Sequence, residues 1–386
     1  MTNSKAKLAL YYITKPYYLL KWYATVAWLF LLATPPYIFH SILEFTQYLF
    51  NLQVSDSVYK FKVDKFISRV SKDSPLDEEV VRKLVKNTLS TIRFNNVTVQ
   101  SKTKYTFKDV RDWFAEISIG LKTYDDTDIL DIVGLQPMSG PIGQVYNMTY
   151  EVDESNELIK MPDGSTIPHC SFKINAHTVE SLTRNGNNRV SSELEQDLDT
   201  LHDLSTDNVI DKIMVQANRE ELERYIYKTI VDSSENYDVE TKSMDMLNVI
   251  INKHATEIAR DTRRGCANVI LVDNYTASKL LDKEIESSQT FKKVGKTKYN
   301  MTIYTIPNTY TRDDGHTLIL GYVGPNSTDR SISYCPYTLP VKNTGMNDTT
   351  FGEEYMYSTR EAMFASDSEV GKKYFRNLVL DEVLWF

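Results

Sequence analysis

Gly295-Lys296-Thr297 is the segment that most resembles a nucleotide-binding motif, because it matches the end of a phosphate-binding loop. Such a loop needs another glycine five residues before Gly295, so that backbone amides can close around a phosphate group. Thr290 occupies that position. The sequence therefore argues against a nucleotide site here.

A second set of residues has the chemistry of metal ligands. His169, Cys170 and His177 are close in sequence, but they lack a fourth ligand and fall in a predicted surface hairpin. Two acidic groups have the spacing of solvated loop charges: Asp125, Asp126 and Asp128, and Asp313 and Asp314. The sequence also lacks the motifs of serine hydrolases, zinc proteases and dinucleotide-binding enzymes. We therefore predict that the protein is not an enzyme, and we assign no catalytic, cofactor-binding or metal-binding residue.

The composition is that of a globular protein. The chain has 386 residues, of which 41% are hydrophobic and 25% charged, and this excludes a disordered or low-complexity chain. Three widely separated cysteines, Cys170, Cys266 and Cys335, exclude a disulfide framework and a thiolate zinc site. Residues 1–43 contain four lysines and no acid, so the other residues have 40 basic and 52 acidic groups, a net charge of −12. Such an acidic body disfavours nucleic-acid binding as the main task.

Residues 22–43 form a distinct apolar segment, since 22 uncharged residues rich in Trp, Tyr and Leu separate Lys21 from Glu44. This length is close to that of a transmembrane helix, and lysines precede it as in a signal anchor. Pro35 and Pro36 leave only about 13 residues of uninterrupted helix, which is too short to span a bilayer. A membrane span and an arm packed on protein both remain open, and the prolines favour the arm.

Hydrophobic periodicity predicts both helices and strands beyond this segment. Ser74-Pro75 followed by three acidic residues has the features of a helix start. Alternating residues around Pro162-Asp163-Gly164 predict a long β-hairpin over 145–180. Apolar residues at helical spacing predict the longest helix over 207–231. The other predicted helices cover 74–92, 192–201, 243–265 and 276–285, and the predicted strands cover 269–272, 299–306, 317–323 and 354–359.

Five collinear regions resemble the major capsid proteins of T-even-like tailed bacteriophages. Residues 134–145 are similar to that family's G-x-Q-P-M-[ST]-x-P-x-G-Q-V segment. The other similar regions are 192–198 with His202 and the helix after it, 257–268, 320–326 with 334–337, and 371–376. Two features depart from the family. Only 25 residues separate Tyr146 from Phe172, so the family's insertion domain is predicted to be absent, and the aromatic N-terminus has no counterpart.

The resemblance implies an α+β protein with the HK97-like capsid fold. In that fold an N-terminal arm leads to an extended loop, a long spine helix, a peripheral domain and an axial domain. The implied division is 1–73 (arm), 74–144 (N-terminal helix and lead-in to the peripheral domain), 145–180 (extended loop), 181–265 (spine helix and peripheral domain), 266–350 (axial domain) and 351–386 (return to the peripheral domain and C-terminus).

The resemblance also implies a structural, self-assembling function without catalysis. Copies of the chain would form the hexamers and pentamers of an icosahedral phage head, assembled in the host cytoplasm and located in the virion capsid. Vertex, portal and scaffolding proteins are implied partners, with packaged DNA reached only indirectly or through the lysines of the arm. Ile42-Leu43-Glu44 fits the short pattern at which family members are cleaved, but we expect the arm to be ordered, retained and intersubunit.

Two alternatives to this function stay open at the level of sequence. The first is a pentameric vertex protein of the same fold. The second is a membrane-anchored cellular protein that uses the 22–43 segment.

Overall fold

The computed structural model of the chain describes residues 56–99, 105–152, 170–191, 193–197, 205–239, 243–307, 310, 316–347, 352–366 and 369–380. Helices and three sheets make up this part, which confirms the predicted α+β class. The aromatic segment within 1–55 and the predicted turn at 162–164 lie outside the described residues, as do His169, His202, Asp313 and Asp314.

Seven α-helices have described bounds. They are α1 (Asp56–Asp73), α2 (Glu78–Val99), α3 (Phe107–Leu121), α4 (Thr206–Ser233), α5 (Met244–Thr262), α6 (Asn274–Leu281) and α7 (Glu369–Lys372). Residues 193–197 are also helical, within the helix predicted over 192–201.

Two of the helices are not predicted from the sequence, α1 and α3. Thr106 and Asp109 form a capping box that satisfies backbone amides at the start of α3. The rings of Phe66 on α1 and Phe114 on α3 stack with their centroids 4.3 Å apart. The resemblance assigns residues 56–73 to the N-terminal arm.

Twelve strands form the described sheets. They are β1 (Gly134–Leu135), β2 (Ile142–Val152), β3 (Cys170–Glu180), β4 (Leu182–Val190), β5 (Glu235–Val239), β6 (Val269–Asp273), β7 (Lys292–Lys296), β8 (Thr302–Ile306), β9 (His316–Gly321), β10 (Ile332–Asn347), β11 (Gly352–Ala365) and β12 (Phe375–Leu380). The six-stranded sheet has the order β5-β12-β9-β6-β8-β7, the four-stranded sheet has the order β1-β10-β11-β4, and β2 pairs with β3 alone.

The six-stranded sheet is covered on both faces. Because side chains alternate along a strand, Leu271 of β6 enters a core with α1, α2, α3 and the second half of α4. Its neighbours Ile270 and Val272 enter a second core with α5 and α6. All five residues of β6 are buried, as expected for a strand between two layers.

Helix α4 connects the sheets. Its first half packs Ile210 and Met214 against Tyr355 and Tyr357 of β11 in the four-stranded sheet. Its second half contributes Leu222, Ile226 and Ile230 to the core above the six-stranded sheet. The predicted long helix is therefore confirmed, with 28 residues.

Three predicted helix ends need correction. The helix predicted over 74–92 continues to Val99 as α2. The helix predicted over 243–265 ends at Thr262, because Arg263 rather than Gly265 adopts the left-handed conformation that terminates it, with φ 55°. The helix predicted over 276–285 ends at Leu281, where Asp282 adopts the same conformation. Because Arg263 and Asp282 are not glycines, their residue types do not indicate a helix end.

The division into six domain segments stays a prediction. Strands β6 to β9 of the 266–350 segment lie in the six-stranded sheet, while β10 of the same segment lies in the four-stranded sheet. The 351–386 segment likewise supplies β11 to one sheet and β12 to the other.

Candidate assembly interface

The residues considered above for nucleotide or metal binding do not form a binding site within the part of the chain that the structure describes. Lys292–Lys296 is strand β7, so Gly295 lies in a ladder with β8 instead of a phosphate-binding loop. The rings of His177 and Phe364 pack with their centroids 4.5 Å apart. Asp128 accepts a hydrogen bond of 2.8 Å from a backbone N–H of β7. No group of three or more described His, Cys, Asp or Glu residues could hold a metal ion.

The β2–β3 hairpin forms a sheet of its own, separate from the two larger described sheets. Its antiparallel register runs from Ile142 opposite Glu180 to Val152 opposite Cys170. Strands of 11 residues extend roughly 36 Å at about 3.3 Å per residue. A two-stranded ribbon alone is marginally stable in water. The hairpin therefore needs an additional surface to pack against.

Among the described side chains of the hairpin, those packed into a core lie at its root. This small core consists of Met138, Val145, Val179, Cys335 and Ala362. Ile142 and Tyr146 of β2 are 64% and 45% exposed, and Ile174 of β3 is 56% exposed. Apolar side chains exposed together on one ribbon are typical of a surface that becomes covered by a partner.

Amide side chains fix the position at which the hairpin leaves the body. Gln136 accepts a hydrogen bond from the Tyr146 N–H (3.0 Å) and donates one to the Tyr146 carbonyl (2.9 Å). Asn87 on α2 donates to the carbonyls of Met138 (2.8 Å) and Tyr337 (3.0 Å). These amide side chains therefore pair with backbone groups on both sides of the hairpin root and fix it to the body.

An ionic cluster, the Arg264 clamp, holds the hairpin half-way along β2. Arg264 donates to the Met148 carbonyl (2.9 Å) and forms an ion pair of 2.7 Å with the Asp329 carboxylate. The Arg264 and Asp329 side chains are 7% and 10% exposed. Burial raises the pKa of Asp329, while the cations of Arg264 and Arg330 oppose this shift. A Cβ on Gly324 would overlap Asp329, so the close approach of these two residues requires glycine at position 324.

A second buried ionic group connects β4 with β11 and β10 within the four-stranded sheet. The Arg184 Nε lies 3.1 Å from the carboxylate of Glu361, and the Tyr334 hydroxyl donates to the same carboxylate. The hydroxyls of Tyr334 and Tyr124 are 3.2 Å apart. Burial raises the pKa of Glu361, although Arg184 and Tyr334 lower it. Because Glu361 is 4% exposed, this group stabilises the sheet and is closed to a substrate.

Hydrogen bonds connect several of the sequence regions that resemble phage capsid proteins. The Asn268 side chain exchanges two hydrogen bonds of 2.8 Å with the backbone of Val323. The Gln136 N–H donates to the Tyr334 carbonyl, and the Tyr322 N–H donates to the Tyr374 carbonyl. Region 320–326 thereby contacts both 257–268 and 371–376, and region 134–145 contacts 334–337.

Sequence reasoning missed the residues that act at this junction. Arg264 and Asp329 are 65 positions apart in the chain, and no spacing rule relates them. Gln136 lies in a Gly- and Pro-rich stretch that indicates only turns. The resemblance located the regions, and the geometry identifies the side chains.

None of the described helices is long and apolar enough to cross a membrane. The apolar 22–43 segment lies outside the described residues.

Comparison with known proteins gives matches to phage capsid proteins. The family model described as "Major capsid protein Gp23" matches residues 154–379. The major capsid protein of Enterobacteria phage T4 is 26% identical over 227 residues, which cover 49% of this chain and 43% of that protein. That of Enterobacteria phage T6 is 25% identical over 231 residues, with 49% and 45% covered. The match thus spans less than half the length of these curated relatives.

Solved structures give matches of low identity. A structure from Mycobacterium phage Bobi has a TM-score of 0.43 and 12% identity, and the match covers 67% of this chain and 91% of that chain. The capsid of Myoviridae phage XM1 has a TM-score of 0.41 and 12% identity, with 66% and 91% covered.

Proposed function

Because the chain belongs to the Gp23 major capsid protein family, we propose that it is a shell subunit whose copies assemble into the hexamers and pentamers of an icosahedral phage head around the genome. The expectation that it is not an enzyme agrees with membership of a family of structural proteins. Its place in the finished particle is the virion capsid.

The observation that carries this proposal is the β2–β3 hairpin. Ile174 and Tyr146 are half exposed on a ribbon whose described residues are held by the body at the root and at Met148. Covering such side chains contributes about 25 cal/mol per Å² of apolar area removed from water. A neighbouring copy offers this cover repeatedly around a ring, and the hairpin therefore supports self-assembly.

The proposal extends to the parts that assembly requires. Residues 145–180 are the extended loop, α4 is the spine helix, and the remaining segments are divided between peripheral and axial domains. Vertex, portal and scaffolding proteins are proposed partners. The lysine-bearing residues 1–50 are proposed to pack between subunits and to contact packaged DNA.

Deletion of residues 151–165 tests the proposal. Electron microscopy of the purified wild-type chain should show closed shells, tubes or rings. The deletion variant, with a short Gly-Ser turn joining β2 to β3, should retain its circular dichroism spectrum and thermal transition but form no such particles. A monodisperse wild-type monomer would contradict the proposed function, and normal shells from the deletion variant would contradict the role of the hairpin.

The dependence of assembly on salt concentration provides a second test of the same proposal. The net charge of −12 beyond residue 43 repels neighbouring copies, and salt screens this repulsion within roughly 10 Å at 0.1 M. Assembly of the wild-type chain should therefore improve from low to moderate salt. Dissociation of shells over this range would contradict the expectation.

A further inference from the structure

A groove of about 850 Å³, the α4 groove, runs along helix α4 on the surface of the body. One wall is the stretch from Ser205 to Arg219, which is about 21 Å long at about 1.5 Å per residue. The other walls are the end of α3 and the segment 287–292 before β7. A helix of about ten residues has a length of about 15 Å, so it fits along the α4 wall.

The α4 groove combines apolar side chains with positive charge, although the chain as a whole is acidic. Asp211 is the acidic residue of the lining, and its carboxylate is engaged by the Lys342 ammonium at 2.8 Å. The buried Nε of Arg219 has no hydrogen-bond partner among the described residues. The apolar residues of the lining are Ile119, Val209 and Val215, and the cations are Lys122, Lys212, Arg219 and Lys292.

The segment 192–203, the acidic segment, has the complementary character. Leu194, Leu198 and Leu201 have the i, i+4, i+7 spacing of one helical face. Residues 193–197 are helical in the structure, and the Leu194 side chain is 49% exposed. At helical spacing, acidic residues lie on both sides of the leucine face. The segment has no lysine or arginine, and its acidic residues are Glu193, Glu195, Asp197, Asp199 and Asp203.

We propose that the α4 groove of one copy binds the acidic segment of a second copy as a helix. The leucine face packs against the apolar lining, in the way that amphipathic helices dock into apolar grooves through residues at i, i+4 and i+7. The flanking carboxylates pair with the lysines of the groove, and this complementarity fixes the register between copies. The inference rests on the proposed function, because it needs copies arranged side by side.

The acidic segment of the same copy is held away from the groove at its beginning. The Ser191 hydroxyl accepts a hydrogen bond from the Leu194 N–H (3.2 Å), and the Ser191 carbonyl accepts one from the Glu195 N–H (3.1 Å). These bonds anchor the helical turn to the end of β4. Residues 193–197 do not line the α4 groove of their own subunit, which favours a second copy as the source of the occupant.

A polynucleotide fits the groove less well than an acidic helix. The residues beyond position 43 carry a net charge of −12, which repels a phosphate backbone approaching the body as a whole. A phosphate backbone also offers no apolar groups to cover Val209 and Val215, whereas the leucines of the acidic segment do.

Charge reversal tests the pairing. Lys212→Glu changes an exposed groove residue and should lower the yield of shells at least fivefold while leaving the thermal transition of the unassembled chain unchanged. The matched control Lys253→Glu, on the exposed face of α5 outside the groove, should lower the yield less than twofold. Adding Asp197→Lys, at an exposed position of the acidic segment, to Lys212→Glu should restore the yield to within twofold of wild type. Equal losses from both lysine variants, or no recovery in the charge swap, would overturn the proposal.

Cross-linking identifies the occupant directly. A photo-reactive amino acid at position 212, in mixed light- and heavy-isotope subunits, should give cross-links to residues 192–203 of the other isotope. Cross-links to 192–203 of the same copy, to residues 151–163 or 1–55, or to nucleic acid would overturn the proposal. Normal shells with such a cross-link contradict only the docking. A chain that forms no shells but gives the expected cross-link in solution at high concentration contradicts only the proposed function, and a chain that gives neither contradicts both.

Discussion

The six-stranded sheet and the β2–β3 hairpin differ in how far their apolar side chains are buried within the subunit. Leu271, at the centre of the sheet, is fully buried between two helical layers supplied by the same chain. Ile174, in the hairpin, is 56% exposed and belongs to a ribbon of two strands. The sheet is therefore stable through contacts within the subunit, while the hairpin depends on contacts that a second copy can provide.

This difference separates folding from assembly within one chain. Changes in the sheet should alter the free energy of unfolding of the subunit, and changes in the hairpin should alter the yield of shells. The Arg264 clamp is the exception, because it connects the body with the hairpin and should affect both. Four substitutions, taken in order of their expected effect on unfolding, test this separation.

Replacing Arg264 by methionine should have the largest effect. It leaves the Asp329 carboxylate buried without its cation, and loss of one partner of a buried ion pair costs about 3–5 kcal/mol. Urea unfolding should show this loss, and hydrogen exchange should become faster along β2 because the Met148 carbonyl loses its donor. The double variant Arg264→Met with Asp329→Leu should recover most of the stability but not the slow exchange of β2. Unchanged exchange in both variants would contradict the role of the clamp in holding the hairpin.

Replacing Leu271 by alanine should cost about 2–5 kcal/mol, because it removes a fully buried side chain and leaves a cavity. Urea unfolding of the unassembled subunit measures this loss. Shells formed from the surviving folded fraction should have normal morphology, since Leu271 does not face a neighbour. Malformed shells from a well-folded fraction would contradict the proposed separation of folding from assembly.

Glu223 on α4 should make the stability of the body depend on pH. It is fully buried, its Oε1 has no hydrogen-bond partner in the described part of the chain, and its Oε2 accepts from the Phe291 N–H. Burial raises its pKa to about 8, with smaller and opposing contributions from that hydrogen bond and from Arg219. Because the folded pKa lies above the unfolded value, the folded state retains a proton that the unfolded state releases, and stability falls as the pH rises from about 4.5 to about 8.

The substitution Glu223→Gln should remove most of this dependence. The glutamine keeps an acceptor for Phe291 and carries no charge, so at pH 8.5 the variant should be more stable than wild type by at least about 1.4 kcal/mol, the equivalent of one pKa unit. At pH 5 the two proteins should be nearly equal. Parallel pH profiles of the two proteins would show that Glu223 is ionised in the folded state.

The sequence predicted the elements whose signals are local. Helix α4 shows apolar residues at helical spacing, and the hairpin shows alternation around a turn. Helix α1 is not predicted, although Val63 and Ile67 follow helical spacing, because residues 1–73 are assigned together to the N-terminal arm. Strand β4 has a weak strand signal, since three of its nine residues are Asn and one is Gly, and both residue types are depleted in strands.

Long-range pairing explains what the sequence could not predict. Strand β4 forms because β11 provides a complete ladder for it, with Gly186 opposite Tyr357. A Cβ at Gly186 would overlap the ring of Tyr357, so glycine is required there by a residue 171 positions away. The proposed interface depends on long-range contacts as well, because Arg264 reaches Met148 only in the folded chain. The sequence around Gln136 and Arg264 therefore does not indicate their roles.

The substitution with the smallest expected effect on unfolding, Ile174→Thr, is the most direct test of assembly. Replacing Ile174 by threonine keeps a β-branched residue suited to a strand and removes apolar surface that is already more than half exposed. The free energy of unfolding of the subunit should change by less than about 0.5 kcal/mol, as is usual for surface positions. The yield of shells should nevertheless fall several-fold, because the same side chain repeats at every contact between neighbouring copies. The matched control Val249→Thr changes a 67% exposed β-branched residue on α5 and should leave both quantities unchanged. If Ile174→Thr lowers subunit stability and leaves shell yield intact, the hairpin is supported by its own chain, and the contrast between the two regions fails.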